Sequence, residues 1–250
     1  MGLPTIAVPT YKLNLPSSGK ELSYRPFLVK EEKILLLAME SEDKKNIIQA
    51  TKDIVENCIH DEVNVHSMAA FDLEYIFLQL RGKAKGEILE LNYRCPKCEG
   101  EVPLNVNLDE VKVIKHNDHT NTIELDNDIG VVMKYPDLTL QESLENTSKN
   151  KSAVEGLFET VTKCIDYIYD AETTYPAKDS SLEELNNFVE SLSDKQFKQI
   201  AQFFDTMPAL RHNVKLICPN KEKPKGKSKE GKSCGYTEDI VLEGLGSFFD

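Results

Sequence analysis

The chain has 250 residues, 40% hydrophobic and 29% charged, with a net charge of −12. That is length for one large or two small domains with a real core, and the composition of a globular protein. Its longest apolar runs, such as ILLLAM at 34–39, are far too short to span a bilayer, and the acid excess repels nucleic-acid phosphates at long range.

The opening MGLPTIAVP has no basic stretch ahead of an apolar core, and Ile6 stands where a myristoylation signal needs Ser or Thr. The expectation is a chain kept in a reducing cytoplasm, whose six cysteines are thiols or metal ligands rather than disulfides. Residues 6–14 and 21–28 read as extended segments about an SSGK turn, with Pro26 making the second an edge strand or a strand end. Helices are predicted over about 29–40, 41–59 and 70–82. The second places Ile47, Ile48, Thr51, Ile54, Val55, Cys58 and Ile59 on one face, and the third stops at Gly82.

The period then changes to two. Strands are predicted at 87–94 and 101–108 around CPKC, followed by short strands in VKVIKH and in TIELDNDIGVVMKYP, where NDIG is a hairpin turn. The helical period returns from Thr139, through LQESLENTS and then through 153–170. Two more helices follow at about 181–192 and 194–206, the latter capped by Ser193-Asp194 and followed by Pro208. Strand-like 212–218 and 238–244 flank a loop, 221–232, with six lysines against Glu222 and Glu230, which reads as a solvated segment.

The predicted fold class is α+β. An N-terminal β-hairpin plus helices (1–86) leads into a small antiparallel zinc-ribbon-like sheet (87–108 and 211–244). That sheet is interrupted by a β-hairpin and largely helical insert (109–210), and 245–250 form a C-terminal tail.

Cys95-Pro96-Lys97-Cys98 lies between two predicted strands, a spacing that lets two thiolates face one tetrahedral metal while backbone amides donate to the sulfurs, with Gly100 freeing the turn. Cys218-Pro219 and Cys234-Gly235 read as the halves of a second such knuckle, split by an insertion. Four thiolates from two hairpins make a closed, structural zinc site of Cys95, Cys98, Cys218 and Cys234. A metal-free thiol set and a redox dithiol are the other readings, but a redox pair normally caps a helix and none is predicted after Cys98.

GKSKEGKS at 226–233 fits the phosphate-loop pattern G-x-x-x-x-G-K-[ST]. Such a loop must join a buried strand to a helix, whereas this one follows NKEKPK and leads into Cys-Gly-Tyr and a β-pattern, so no nucleotide is expected there. Cys58 and Cys164 sit on apolar helix faces as core residues. His116, His119 and Asp118 read as a polar turn, with metal ligation as the rarer option. No nucleophile, base and oxyanion site can be assembled, so no enzyme is expected.

LPTIAVPTYKLNLPSSGKELSYRPFLVKEEKILLLAMES resembles the T-even bacteriophage base plate proteins. The resemblance is carried by Pro4 and Pro9, the Leu15–Gly19 turn, Tyr24-Arg25-Pro26-Phe27, and Lys30 to Lys33. Further stretches are Phe71–Tyr75 with Leu78 and Arg81-Gly82, Lys134-Tyr135-Pro136, and Leu245–Phe249.

It implies a non-enzymatic structural or assembly protein of a contractile-tail baseplate hub, found in the host cytoplasm during assembly and in the virion tail. Its implied partners are other baseplate or hub proteins and the tape-measure protein, which it would chaperone. Membrane, nucleotide and nucleic acid are not among the expected partners. Tyr24, Arg25, Pro26 and Phe27 are candidate partner-binding residues, with packing of Phe27 under the next helix as the alternative. The rival class is a zinc-ribbon adaptor of transcription or replication, touching nucleic acid through the lysine loop 221–232.

Overall fold

The computed structural model describes residues 6–126, 128–142, 152–221 and 233–248. Strands β1 (Tyr11–Asn14) and β2 (Glu21–Tyr24) pair antiparallel with Leu13 opposite Leu22. Their inward side chains Leu13, Leu22 and Tyr24 are buried, as period-two alternation requires of a half-buried hairpin. The connecting turn closes through Gly19 N–H donating to Leu15 O at 2.7 Å, with Gly19 at φ +73°, where a side chain would be strained.

Helix α1 (Val29–Glu40) starts where the Glu31 carboxylate accepts the Leu28 N–H at 2.8 Å. Helix α2 (Lys44–Cys58) is capped by Asp43, which accepts the Lys45 N–H at 2.9 Å, and buries Ala50, Thr51, Ile54, Val55 and Cys58. Helix α3 (Ala70–Lys85) outruns the expected stop at Gly82 by one turn. Gly82 lies inside the helix facing Leu108, and Gly86, at positive φ, is the terminator, its N–H donating back to Gly82 O at 3.0 Å.

Leu73, Ile76, Phe77, Leu78 and Leu80 of α3 are all at most 1% exposed. A helix apolar on every side belongs at the centre of a core, and α3 is at the centre of the first of two buried clusters.

Strands β3 (Ile88–Arg94) and β4 (Glu101–Asn107) form a hairpin that turns Leu89, Leu91, Val102, Leu104 and Val106 inward. Strand β5 (Lys112–Ile114) joins a second antiparallel sheet, described below. The insert follows: β6 (Thr122–Glu124), β7 (Gly130–Met133), a helical turn over 138–142, α4 (Ala153–Lys163), β8 (Ile165–Tyr169), β9 (Thr174–Pro176), α5 (Leu182–Glu190) and α6 (Asp194–Thr206).

The single helix expected over 153–170 is a helix and a strand. Cys164 ends α4, and IDYIY pairs with β7 on one side and β9 on the other. Its alternating β-branched and aromatic residues suit a pleated surface, and the sheet partners that decide the matter are distant in sequence. Ser152, Ser181 and Ser193 each cap a helix, reciprocated by Glu155, Glu184 and Gln196. The insert has its own core of Ile123, Val131, Met133, Val161, Cys164, Ile165, Leu185, Val189, Ile200 and Phe203.

The chain then returns as β10 (Ala209–Ile217) and β11 (Thr237–Glu243), with strand order β11-β10-β5. The ribbon-like part is therefore two hydrogen-bonded units, β3-β4 and β11-β10-β5, interrupted by the largely helical insert in an α+β fold. Residues 245–248 form a short 3₁₀ turn with Phe248 fully buried. The LQESLENTS helix beyond 142 and the lysine loop at 222–232 lie outside the described residues.

This last turn is tied to α3 by Glu74 Oε1, which accepts the Leu245 N–H at 3.0 Å. Burial raises the Glu74 carboxyl to about 7, against the lowering effect of the Leu245 bond, and Glu243 nearby adds to the rise. A carboxyl raised in the fold favours the folded state below its ordinary value of 4.5, and that contribution is lost as pH rises through about 7. Glu74→Gln, which keeps an acceptor for Leu245, is expected to match the wild type near pH 4. At pH 8 it should exceed wild-type stability by about 3 kcal/mol, as read from urea unfolding at the two pH values.

Candidate metal centre

Cys95 follows the last residue of β3. Its N–H donates to Gly100 O at 2.9 Å and its carbonyl accepts the Glu99 N–H at 2.8 Å, which folds CPKC into a tight knuckle. Glu99, directly after Cys98, is at φ +59°. The second half repeats this plan. Cys218 follows the last residue of β10 and donates its N–H to Tyr236 O at 2.9 Å. Gly235, directly after Cys234, is also at φ +59°.

The correspondence of Cys95 with Cys218, and of Cys98 with Cys234, holds although 15 residues separate the second pair. A bridge between Lys221 and Ser233 brings the ends of the insertion together. To the knuckle the chain behaves as if the lysine loop were absent.

The four Sγ atoms lie within 4.8 Å of one another. Cys95 and Cys234 stand 3.7 Å apart, and Cys98 and Cys218 3.6 Å. Four sulfurs at tetrahedral corners about 2.3 Å from an ion are separated by about 3.8 Å. All four cysteines are free thiols, and their spacing fits a shared ion and not disulfide bonds.

Among the described residues this is the group of His, Cys, Asp and Glu side chains placed to hold a metal ion. Three of the four are buried and Cys98 is half-buried. Burial raises the Cys218 and Cys234 thiols, Cys234 to about 12. Burial acts on Cys95 in the same sense, but the N–H groups of Cys98 and Lys97 and the neighbouring thiols outweigh it and bring it down to about 7. Four thiolates in so small a space repel one another, and a divalent cation is the partner that removes this conflict.

Asn220, which sequence reading passed over, locks the knuckles together. Its side-chain NH₂ donates to Glu101 O at 2.8 Å, and its carbonyl accepts the Cys234 N–H at 2.8 Å. Gly100 is required for space and not for turn freedom, because a Cβ there would meet the Asn220 amide at 2.6 Å. The left-handed residue that the turn needs is Glu99. Lys97 Nζ donates to Cys234 O at 2.6 Å, a second tie across the site.

The phosphate-loop pattern ends at Ser233, which lies in the Lys221 bridge, and the next regular element is β11. No helix N-terminus follows to face a phosphate. Residues 222–232 of that pattern lie outside the described residues.

Cys58 and Cys164 are core thiols, pushed up by burial to about 11 and about 12. His119 closes the turn, its N–H donating to His116 O at 3.1 Å, but its side chain is buried. Its Nε2 lies 2.9 Å from Tyr135 Oη and its Nδ1 3.0 Å from Thr206 Oγ1, and burial lowers its pKa.

Tyr24, Pro26 and Phe27 are buried within the chain, Phe27 stacking on Phe77 of α3 at 6.4 Å. The guanidinium of Arg25 donates to Glu31 Oε1 at 2.8 Å, to Asn57 O at 3.0 Å and to Pro26 O at 3.1 Å. Burial works to raise Glu31, but the bonds from Arg25, the Leu28 N–H and Lys30 overcome it and hold the carboxyl at about 2.

The other stretches that carry the family resemblance gather on the same helix. Ser17 N–H donates to Asp72 Oδ1 at 3.0 Å and its hydroxyl donates to Asp72 Oδ2. Tyr135 packs edge-on against Phe71 at 4.9 Å, Ala70 N–H donates to Pro136 O at 3.0 Å, and Leu245 is held by Glu74.

A family model described as T4 bacteriophage base plate protein matches residues 8–250. The chain belongs to that family. No curated protein and no solved structure matches it. It is thus a structural protein of a phage baseplate, whose setting is the virion tail and whose partners are other baseplate proteins. No helix among its described residues is long and apolar enough to cross a membrane.

In this baseplate protein Arg25 joins the start of α1 to the end of α2. Arg25→Ala leaves the buried Glu31 with the Leu28 N–H and Lys30 as its remaining partners, and is expected to cost about 2 kcal/mol in urea unfolding at pH 7. Arg25→Lys should recover only part of this, because an ammonium cannot span Glu31 and the Asn57 carbonyl as the planar fork does.

Proposed function

We propose that this baseplate protein is a non-enzymatic assembly subunit of the baseplate hub, working through protein–protein contacts, with its four cysteines closed around one structural zinc. The observation that carries the reading is the pair of matching knuckles whose four sulfurs have tetrahedral spacing, in a chain of the base plate family. A site closed by four protein thiolates leaves no open position for substrate or water, which favours a structural over a hydrolytic metal.

The ligands Cys98 and Cys218 are separated by 120 residues. The ion would tie together the two halves of the ribbon (87–108 and 211–244), which the insert (109–210) separates in the chain. Tyr24, Arg25, Pro26 and Phe27 serve the partner contact indirectly in this reading, by seating α1. The role extends to chaperoning hub or tape-measure proteins in the host cytoplasm before the tail is complete. A groove of about 420 Å³ lined by Leu157, Phe158, Val189, Phe197 and Ala201, with the Asp194–Lys198 ion pair at 2.7 Å, is apolar and suits contact better than chemistry.

Elemental analysis of the full chain is expected to find one zinc. Cys95→Ser should lose it and speed hydrogen exchange at 87–108 and 212–221, while α1 and α2 stay protected, since structural zinc contributes about 10 kcal/mol in small domains. Wild-type protein without zinc, together with unchanged protection in the variant, would rule the site out. From infected cells the tagged chain should co-purify with hub or tape-measure proteins. Recovery solely with baseplate proteins outside the hub would refute the hub assignment while leaving the family membership intact.

A further inference from the structure

Helix α1 carries apolar residues on its outward side as well as on the side that is covered. Glu31, Leu35 and Ala38 face the core, while Val29 is 81% exposed, Leu37 56% and Leu36 50%. Of the fifteen exposed large hydrophobic residues among the described ones, five lie between positions 28 and 37. Isolated exposed apolar side chains are ordinary, but a contiguous patch marks a surface that something covers.

The charges around the patch say what that is. Val29, Lys33, Leu36 and Glu40 are spaced 4, 3 and 4 apart, so they form one stripe along the helix, with Leu37 beside it. The exposed cations of this segment, Lys30 and Lys33, are at its N-terminal end. The exposed anion Glu40 ends it, followed by Glu42 and Asp43 and then by the exposed Lys44 and Lys45 that open α2, and the leucines lie between Lys33 and Glu40. That pattern is complementary to itself when reversed.

We propose that the outward face of α1 is a homodimer interface, occupied by α1 of a second copy running antiparallel about a two-fold axis between Leu36 and Leu37. In that register Leu36 meets Leu37 of the copy and Lys33 meets Glu40, while Lys30 stays paired with Glu31 of its own chain at 3.2 Å. Each contact occurs twice, as an isologous interface requires. Antiparallel packing also sets the helix dipoles in opposition, whereas a parallel pair would place Lys33 on Lys33 and Glu40 on Glu40. The Arg25 clamp and the Phe27 stack hold α1 rigidly from behind, so little order has to be gained on association. A single pair of twelve-residue helices buries less than the roughly 800 Å² per partner of a standard interface, which places the affinity in the micromolar range.

Sedimentation velocity on the full chain, from about 1 µM to about 0.1 mM, tests this directly. The wild type should move from 28.3 kDa towards twice that mass with rising concentration. Lys33→Glu and Glu40→Lys should each weaken association about tenfold or more by setting like charges face to face. The double reversal K33E/E40K should restore it to within about twofold, because the pair is then simply exchanged. Leu37→Asp should leave a monomer. These side chains are exposed, so unchanged melting separates lost association from lost folding. A wild type that stays at 28.3 kDa up to about 0.1 mM overturns the proposal and leaves the face to another baseplate component. Single reversals that weaken association without rescue by the double overturn the register and with it the proposal. None of these readings needs zinc or a hub partner, so failure here is separate from failure of the hub assignment.

Discussion

Everything in the first core leans on α3. A sixteen-residue helix with Leu73, Ile76, Phe77, Leu78 and Leu80 excluded from water cannot be stable alone. It must be enclosed, and each enclosing element is supplied by a different part of the chain. The N-terminal turn arrives through Ser17 on Asp72, the α1 start through Phe27 on Phe77, the insert through Tyr135 on Phe71, and the C-terminal turn through Leu245 on Glu74. Two carboxylates on so apolar a helix would be costly without partners. Asp72 and Glu74 each end on a backbone N–H, and both are raised by burial, which the hydrogen bonds partly offset. The stretches that carry the base plate resemblance are thus mostly the points where remote segments are stitched to one helix.

The ribbon solves a different problem. Its hairpins are short, and β10 and β11 leave much of their surface to solvent, so packing alone gives them little purchase. Four sulfurs close enough to share an ion, with Asn220 and Lys97 hydrogen-bonding across them, bring the two hairpin tips together at one point. The point lies at the tips of the two hairpins, at the far ends of β4 and β10 from where the chain leaves for the insert and comes back. The insert itself keeps a separate core and meets α3 through Tyr135 on Phe71 and the Ala70 N–H on Pro136 O, with His119 and Phe203 stacked behind Tyr135.

The division of labour has a functional reading. α3 and the ribbon hold the frame, and the Arg25 clamp presents α1 with its leucines outward. An assembly protein needs a surface that is fixed before its partner arrives, because ordering a surface during association costs affinity.

Much was legible in the sequence because it is local. The spacing of Cys95 and Cys98, the start and end of α1, the period-two runs of β3 and β4, and the serine cap of α6 each depend on a few neighbouring residues. The α+β class and the family resemblance follow from such runs.

What only the tertiary structure decided depends on residues far apart. IDYIY has a helical continuation available from α4, and it becomes a strand because β7 and β9 offer ladders on both sides. That Cys218 and Cys234 belong to one knuckle reads from the sequence, but the contacts that close the insertion, Lys221 pairing with Ser233 and Asn220 reaching Glu101, leave no mark in the spacing. Gly100 reads as a turn residue, yet what it supplies is room for that same Asn220. The outward leucines of α1 look like core residues in one dimension. Only the packing of α2 and α3 settles which side of α1 is covered, since burial is a property of what the rest of the chain brings to a surface and not of the residues that form it.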